Sequence, residues 1–182
     1  MEWFIMMTFI SGGVRSGKSR FAEQLAEQDA QARGGPLFYL ATAATPQEPE
    51  MQARIRWHQQ DRGTAWITLE EPVALNAILP RLQPNSTLLL DCLTLWSSQV
   101  MFASDLSLEE AIKQLSAFIQ ALADQHIHLI VVSNDINECL PPTECKLLNY
   151  VNFLQSLHQC LTAQADQAIQ MLSGCAYYWK GG

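Results

Sequence analysis

Residues Gly12, Gly17, Lys18 and Ser19 satisfy the spacing G-x-x-x-x-G-K-[ST], inside the stretch "FISGGVRSGKSRFAEQLA". That pattern is suited to holding phosphates. Glycines allow backbone conformations that a Cβ would hinder, so successive N–H groups can converge on phosphate oxygens. The helix that follows turns its positive end toward the same anion. Lys18 is then aimed at the β and γ phosphates, and the Ser19 hydroxyl is a ligand for Mg²⁺. An acid should support the metal, and Asp91 ends the apolar run "TLLLD", where a Walker-B carboxylate belongs. An Asp at a strand end also serves as a turn or a helix cap; its pairing with the cradle is what favours the metal role.

A second cluster lies in "EMQARIRWHQQDRGTAWITLE", from Glu50 to Glu70. If its first half is helical, Arg54, His58 and Arg62 fall on one stripe. Flanking guanidiniums disfavour imidazolium and keep a ring nitrogen nucleophilic near neutral pH, which suits a histidine that becomes covalently nucleotidylated. A solvated helix face of mixed charge has the same spacing, and spacing does not decide between them.

These residues need a scaffold. Apolar runs at "IMMTFI", "LFYLAT", "WITL", "TLLLD", "LIVVS" and "AIQML" predict buried strands, the first over Met6 to Ile10. Between them, "SRFAEQLAEQDAQA" predicts a helix ending near Gly34-Gly35, and "SLEEAIKQLSAFIQALAD" a helix opened by a Ser107/Glu110 capping box. That second helix places Leu108, Ile112, Leu115, Ile119 and Leu122 on one stripe. Beyond Pro141-Pro142, Thr143 is expected to cap a long helix whose Leu147, Val151, Leu154, Leu157 and Leu161 face the core. Alternating strands and helices predict an α/β fold, three-layered around a mainly parallel sheet, with ligands near the carboxyl ends of the strands.

The 182 residues fit one nucleotide-binding domain spanning 1–182. A net charge of −7 argues against a nucleic-acid partner, since a phosphate backbone is bound by surplus Lys and Arg. Five cysteines, odd in number and without a C-x-x-C pair, predict reduced thiols in the cytoplasm rather than disulfides or zinc. The opening "MEWFIMMTFI" carries Glu2 and lacks a cleavage site, so neither a signal peptide nor membrane insertion is expected.

Taken in order, "GGVRSGKSRFAEQLA", "YLATA", "MQARIRWHQQDR" followed by W-x-T-x-E, and "LLLDCLTLW" resemble the bifunctional adenosylcobinamide kinase/adenosylcobinamide-phosphate guanylyltransferase family. The resemblance covers roughly the first hundred residues and resumes at "VVSN". It implies a RecA-like P-loop fold. It also implies an enzyme that phosphorylates the aminopropanol hydroxyl of adenosylcobinamide and then transfers GMP from GTP to that phosphate through a guanylylated histidine. By position that histidine is His58, beside Lys18 and Asp91 as catalytic groups. Nucleotide contacts fall on Gly12, Gly13, Val14, Arg15, Ser16, Gly17, Lys18 and Ser19, on Ala41, Thr42 and Ala43, on Gln59, Gln60, Asp61 and Arg62, and on Glu70 and Asp91. GTP or ATP with Mg²⁺, a corrinoid substrate and a homotrimer are implied with them.

The resemblance weakens beyond Ser133. The family continues Asn-Glu-Val-Gly and later F-R-D-x-x-G-R-x-N-Q, whereas this chain has "NDINECLPP" and "YVNFLQSLHQ". Val151 and Ser156 stand where two arginines are usual and Asn152 where an acid is, which removes two bidentate phosphate or carboxylate binders. A helix repacked around structural arginines would leave the same trace. The closing "SGCAYYWKGG" departs as well, its paired tyrosines without an assigned role. Two other functions fit the residues. One is a nucleotide-binding regulatory or assembly protein that has lost one or both activities; the other is a kinase for a different small alcohol.

Overall fold

In the computed structural model, residues 6–43, 65–136 and 144–182 are described. Strands β1 (Met7–Gly12), β2 (Leu37–Ala41), β3 (Trp66–Glu70), β4 (Thr87–Asp91), β5 (His128–Asn134), β6 (Gln167–Leu172) and β7 (Cys175–Lys180) form one sheet in the order β3-β2-β4-β5-β1-β6-β7. Every pairing is parallel except β6 with β7. Helix α1 (Lys18–Arg33) covers one face; α2 (Leu93–Ala103), α3 (Leu108–Asp124), α4 (Cys145–Gln164) and a 3-10 helix (Leu75–Arg81) cover the other. This is the expected three-layer α/β arrangement.

Strand alternation explains the division. Phe38, Leu40, Leu88, Leu90, Leu129 and Val131 point to the side of α2, α3 and α4, while Leu37, Tyr39, Leu89, Ile130 and Val132 point to α1. Both sets are buried, so β2, β4 and β5 read as continuous apolar runs. Helix α1 meets its side through Ala22, Ala26 and Ala30, whose small side chains let the helix lie close to the strands. It ends on Gly34 at φ 66°, a left-handed position that a Cβ disfavours.

The six anticipated strands are all present, with β1 running two residues further than expected, into the cradle's first glycine. The capping box of α3 is also present: Ser107 Oγ accepts from Glu110 N–H at 3.2 Å, and Glu110 Oε2 accepts from Ser107 N–H at 2.9 Å. Helix α4 differs from expectation. Its N-cap position is Glu144, with no side-chain cap bond, and Thr143 lies outside the described residues. Leu147 is 47% exposed, so the core stripe begins a turn later, with Tyr150, Phe153, Leu154, Leu157 and Leu161. Leu108 on α3 is likewise partly exposed. The closing segment forms the antiparallel edge strand β7, with Tyr177, Tyr178 and Trp179 largely exposed along it.

Candidate nucleotide site

Strand β1 delivers Gly12 to the sheet's carboxyl rim, where the chain turns through Gly13–Gly17 into α1. A Cβ at Gly12 would lie 2.6 Å from the Met171 carbonyl and 2.7 Å from Ser16 Oγ, so only glycine fits. Gly17, the N-cap of α1, has φ 89°, again in the left-handed region. The loop closes on itself, with Ser16 N–H donating to the Gly13 carbonyl at 3.2 Å. The Lys18 ammonium also donates to that carbonyl, at 3.0 Å, and the residue is 8% exposed. Val14 and Arg15 stand outward, Arg15 at φ 60°. Ser16 Oγ is buried with no hydrogen-bond partner among the described residues. A buried hydroxyl without a partner costs about 1–3 kcal/mol. A phosphate oxygen in the loop would supply the missing bond.

The sequence did not reveal what holds this loop from behind. The turn joining β6 to β7 reaches it: Gly174 N–H donates to the Ser16 carbonyl at 3.0 Å. From the other side, Asp135 N–H donates to the Gly12 carbonyl at 2.9 Å. Only the antiparallel hairpin brings residue 174 to residue 16, and no local pattern signals that.

Asp91 ends β4, two strands from β1, or about 10 Å along the rim at ordinary strand spacing. Tyr39 OH donates to Asp91 Oδ2 at 3.3 Å. The next residue is clamped by Thr42, whose Oγ1 donates to the Cys92 carbonyl at 2.8 Å and accepts from Cys92 N–H at 3.3 Å. Thr42 is fully buried and acts on the site through Cys92. The donor set suits Mg²⁺: a hydroxyl on Ser19, exposed in the first turn of α1, and the half-buried Asp91 carboxylate are hard oxygen ligands at the carboxyl rim of the sheet.

The remaining residues separate. Ala41 is in register with both Asp91 and Glu70, and Ala43 follows Thr42 on the same rim, so these residues form a row along the carboxyl edge. Glu70 ends β3, four strands from β1, about 19 Å away. Arg54, His58, Gln59, Gln60, Asp61 and Arg62 lie outside the described residues.

Between the cradle and Asp91 the structure assembles a polar group that sequence inspection did not mark. Ser133 Oγ lies 2.7 Å from His158 Nε2 and 3.1 Å from Thr94 Oγ1, and Thr94 Oγ1 accepts from Asn134 N–H at 2.9 Å. Tyr150 OH and Ser97 Oγ donate to the Thr94 carbonyl at 2.8 and 2.9 Å. Burial lowers the His158 pKa, opposed by the Asp135 charge, and raises those of Cys92 and Tyr150. These groups come from three segments far apart in sequence, which is why spacing gave no sign of them.

The altered positions of α4 are peripheral. Val151 is half-buried, while Asn152 and Ser156 are exposed, Ser156 Oγ donating to the Asn152 carbonyl at 3.0 Å. Both line a groove of about 440 Å³ between the end of α2, the start of α3 and α4, walled by Met101, Leu106, Leu108, Ile112 and Phe153.

Comparison with known proteins gives a consistent result. The family described as "Cobinamide kinase / cobinamide phosphate guanyltransferase" matches residues 8–178, through the altered segment. "Bifunctional adenosylcobalamin biosynthesis protein CobP" of Pseudomonas aeruginosa is 33% identical over 177 residues, covering 97% of this chain and 98% of the relative. CobU of Escherichia coli, described in the same terms, is 28% identical over 181 residues, covering 93% of this chain and 97% of that one. Among solved structures, flagellar accessory protein FlaH from Methanocaldococcus jannaschii superposes with a TM-score of 0.53 at 16% identity, over 96% of this chain and 78% of its own, a likeness of RecA-like P-loop fold alone.

Proposed function

This chain belongs to the cobinamide kinase/cobinamide phosphate guanyltransferase family, and from that premise we propose how its residues share the work. It is a bifunctional enzyme of cobalamin nucleotide-loop assembly, a kinase for adenosylcobinamide and a guanylyltransferase for adenosylcobinamide phosphate. The regulatory alternative is not favoured, because the family match runs through the segment on which it rested.

In our proposal Gly12–Ser19 hold the triphosphate of GTP or ATP. The loop N–H groups and Ser16 Oγ donate to phosphate oxygens. The Lys18 ammonium leaves the Gly13 carbonyl for the phosphate to be transferred, where negative charge grows in the transition state. Ser19 and Asp91 would hold Mg²⁺, which when bound would neutralise negative charge on the triphosphate. Tyr39 and the Thr42 clamp keep the Asp91 carboxylate in place. For guanylyl transfer we assign His58 as the nucleophile toward the α-phosphate of GTP, expelling pyrophosphate and then passing GMP to adenosylcobinamide phosphate. The observation carrying the kinase half is the buried, unpartnered Ser16 hydroxyl inside a loop held in shape by the Ser16 N–H bond to Gly13 and the Gly174 N–H bond to Ser16. Working as a cytoplasmic homotrimer of single-domain chains, with no nucleic-acid partner, completes the proposal. Among the described residues, no helix is long and apolar enough to cross a membrane.

The test is incubation with adenosylcobinamide, GTP and Mg²⁺, followed by product and intact-protein masses. Phosphorylated and GDP-linked products are expected, with a GMP adduct on the protein that is absent in His58→Ala. Nucleotide binding without either product would refute the proposal. Wild type without an adduct would refute the histidine assignment alone.

A further inference from the structure

Four groups in series connect helix α4 to the junction between the phosphate loop and the Asp91 end of β4. His158 Nε2 meets Ser133 Oγ at 2.7 Å, Ser133 Oγ meets Thr94 Oγ1 at 3.1 Å, and Thr94 Oγ1 accepts from Asn134 N–H at 2.9 Å. One residue further, Asp135 N–H holds the Gly12 carbonyl. Thr94 lies in the first turn of α2, directly after Asp91 and Cys92. The two parts that must act on one phosphoryl group therefore share this chain of bonds.

Proton counting fixes its direction. The Asn134 amide can only donate, so Thr94 Oγ1 is an acceptor there. With Nε2 unprotonated, Thr94 donates to Ser133, Ser133 donates to Nε2, and each hydroxyl both gives and receives once. With Nε2 protonated the order reverses: Ser133 receives from the ring and must donate to Thr94, which now accepts twice and must turn its own proton out of the chain, toward the neighbouring Cys92 sulfur, a weak acceptor.

We propose that His158 is a positioning residue for phosphoryl transfer, acting through Ser133 and Thr94 to fix the junction between the phosphate cradle and Asp91. It touches no reacting atom. Around the ring stand Phe9 of β1, with centroids 5.2 Å apart, Ser133 of β5, and the Asp135 carboxylate that follows β5. Cys92 and Tyr150, further along the network, are held neutral by burial. Burial favours the neutral ring over the opposing pull of Asp135, so the working proton order persists through neutral pH and fails on its acid side.

The proposal rests on the kinase assignment above, so its test includes a measurement that needs no turnover. In steady-state kinase assays on the full chain, His158→Ala should lower kcat roughly ten- to a hundredfold, the scale of a small misplacement of reacting groups, with the nucleotide KM within about threefold. His158→Gln, whose carbonyl can accept from Ser133 but cannot titrate, should recover most of kcat and lose the acid limb of the wild-type pH profile. Ser133→Ala should lower kcat as His158→Ala does, and the double variant should be no worse than either. Unchanged kcat in His158→Ala, additive losses, or an acid limb that survives in His158→Gln would overturn the proposal. If His158→Ala fails to fold, the His158→Gln profile and the Ser133 variant decide. Imidazole ¹⁵N spectra separate the two assignments: an unprotonated, hydrogen-bonded Nε2 near pH 7.5, altered in Ser133→Ala, supports the relay even if wild type shows no kinase product. A protonated Nε2 there overturns it.

Discussion

Lys18 and Ser16 stand two residues apart in one loop, yet they predict different stability effects. Lys18 makes one bond in the free protein, to the Gly13 carbonyl, and its ammonium is the cation available to the terminal phosphates. Lys18→Ala should leave the melting temperature nearly unchanged while phosphoryl transfer falls by orders of magnitude. Wild-type rates in that variant would remove the cradle from the mechanism. Ser16 carries a buried hydroxyl with no partner, a defect that alanine removes. Ser16→Ala should therefore raise the melting temperature of the nucleotide-free protein. The same change deletes a donor worth about 1.5–3 kcal/mol to a charged phosphate, so nucleotide affinity should fall at least tenfold. Calorimetry and thermal melts with and without GTP check both signs, and a variant destabilised without nucleotide would show that the hydroxyl has a structural partner. Lys18, Ser19 and Asp91 stood out in the sequence because a local pattern marks them, and the roles proposed for them start from that pattern. His158 did not, since its role depends on Ser133 and Thr94, which only the fold brings near it.

Elements were legible where the pattern is local. The strands show as short apolar runs because both faces of the sheet are covered, and α3 shows through its Ser107/Glu110 box and apolar stripe. Strand β7 was missed although Tyr177, Tyr178 and Trp179 are strand formers, because an exposed edge shows neither a buried run nor an apolar-polar alternation to mark it. Yet β7 matters to the site, for it completes the hairpin whose Gly174 N–H holds the Ser16 carbonyl. This contact makes the cradle a joint product of β1, α1 and the β6–β7 hairpin. Gly12→Ala tests it, since the added carbon would press on the Met171 carbonyl of β6, a backbone atom that cannot rotate away. We expect nucleotide affinity to fall more than tenfold, together with a lower melting temperature, because loop and hairpin must move apart. Unaltered affinity would mean that the loop adapts without the hairpin. Ser107→Ala makes a control remote in role, costing about 1 kcal/mol of stability through the lost cap with catalysis intact.

Across the whole molecule, Asp29 ties helix α1 to the end of the sheet opposite the cradle. Asp29 Oδ2 lies 2.8 Å from Arg33 Nε and 2.9 Å from His128 Nδ1, and accepts from Thr87 Oγ1 at 2.6 Å; His128 Nε2 in turn meets Thr8 Oγ1 at 3.0 Å. Helix α1 is thereby tied to β1, β4 and β5 at their amino ends while its other end carries Lys18 and Ser19. The Asp29, Arg33 and His128 side chains are only 17%, 5% and 3% exposed, so this cluster is part of the interior. Burial pushes the Asp29 carboxyl up, but His128, Thr87 and Arg33 together outweigh it and hold the pKa below the usual carboxylate value. A depressed folded pKa means that the unfolded chain binds the proton more readily. The stabilisation is therefore complete above the unfolded pKa, near 4, and is lost as pH falls through the folded value. His158 is also depressed, so its share is lost earlier, as pH falls below the ordinary imidazole value of about 6.5. Acid destabilisation should accordingly come in two stages. Asp29→Asn removes the charge and leaves the Arg33 guanidinium buried without its carboxylate, a change that costs about 3–5 kcal/mol at neutral pH. The melting temperature should fall by about 6–20 °C for a chain of this length. That gap should stay constant down to about pH 5 and close below pH 4, as wild type loses the same charge. His158→Gln should flatten only the upper stage. Melting curves from pH 3 to pH 8 for the three proteins separate the stages, and an Asp29→Asn gap that persists unchanged at pH 3 would show that shape rather than charge holds this end of the sheet.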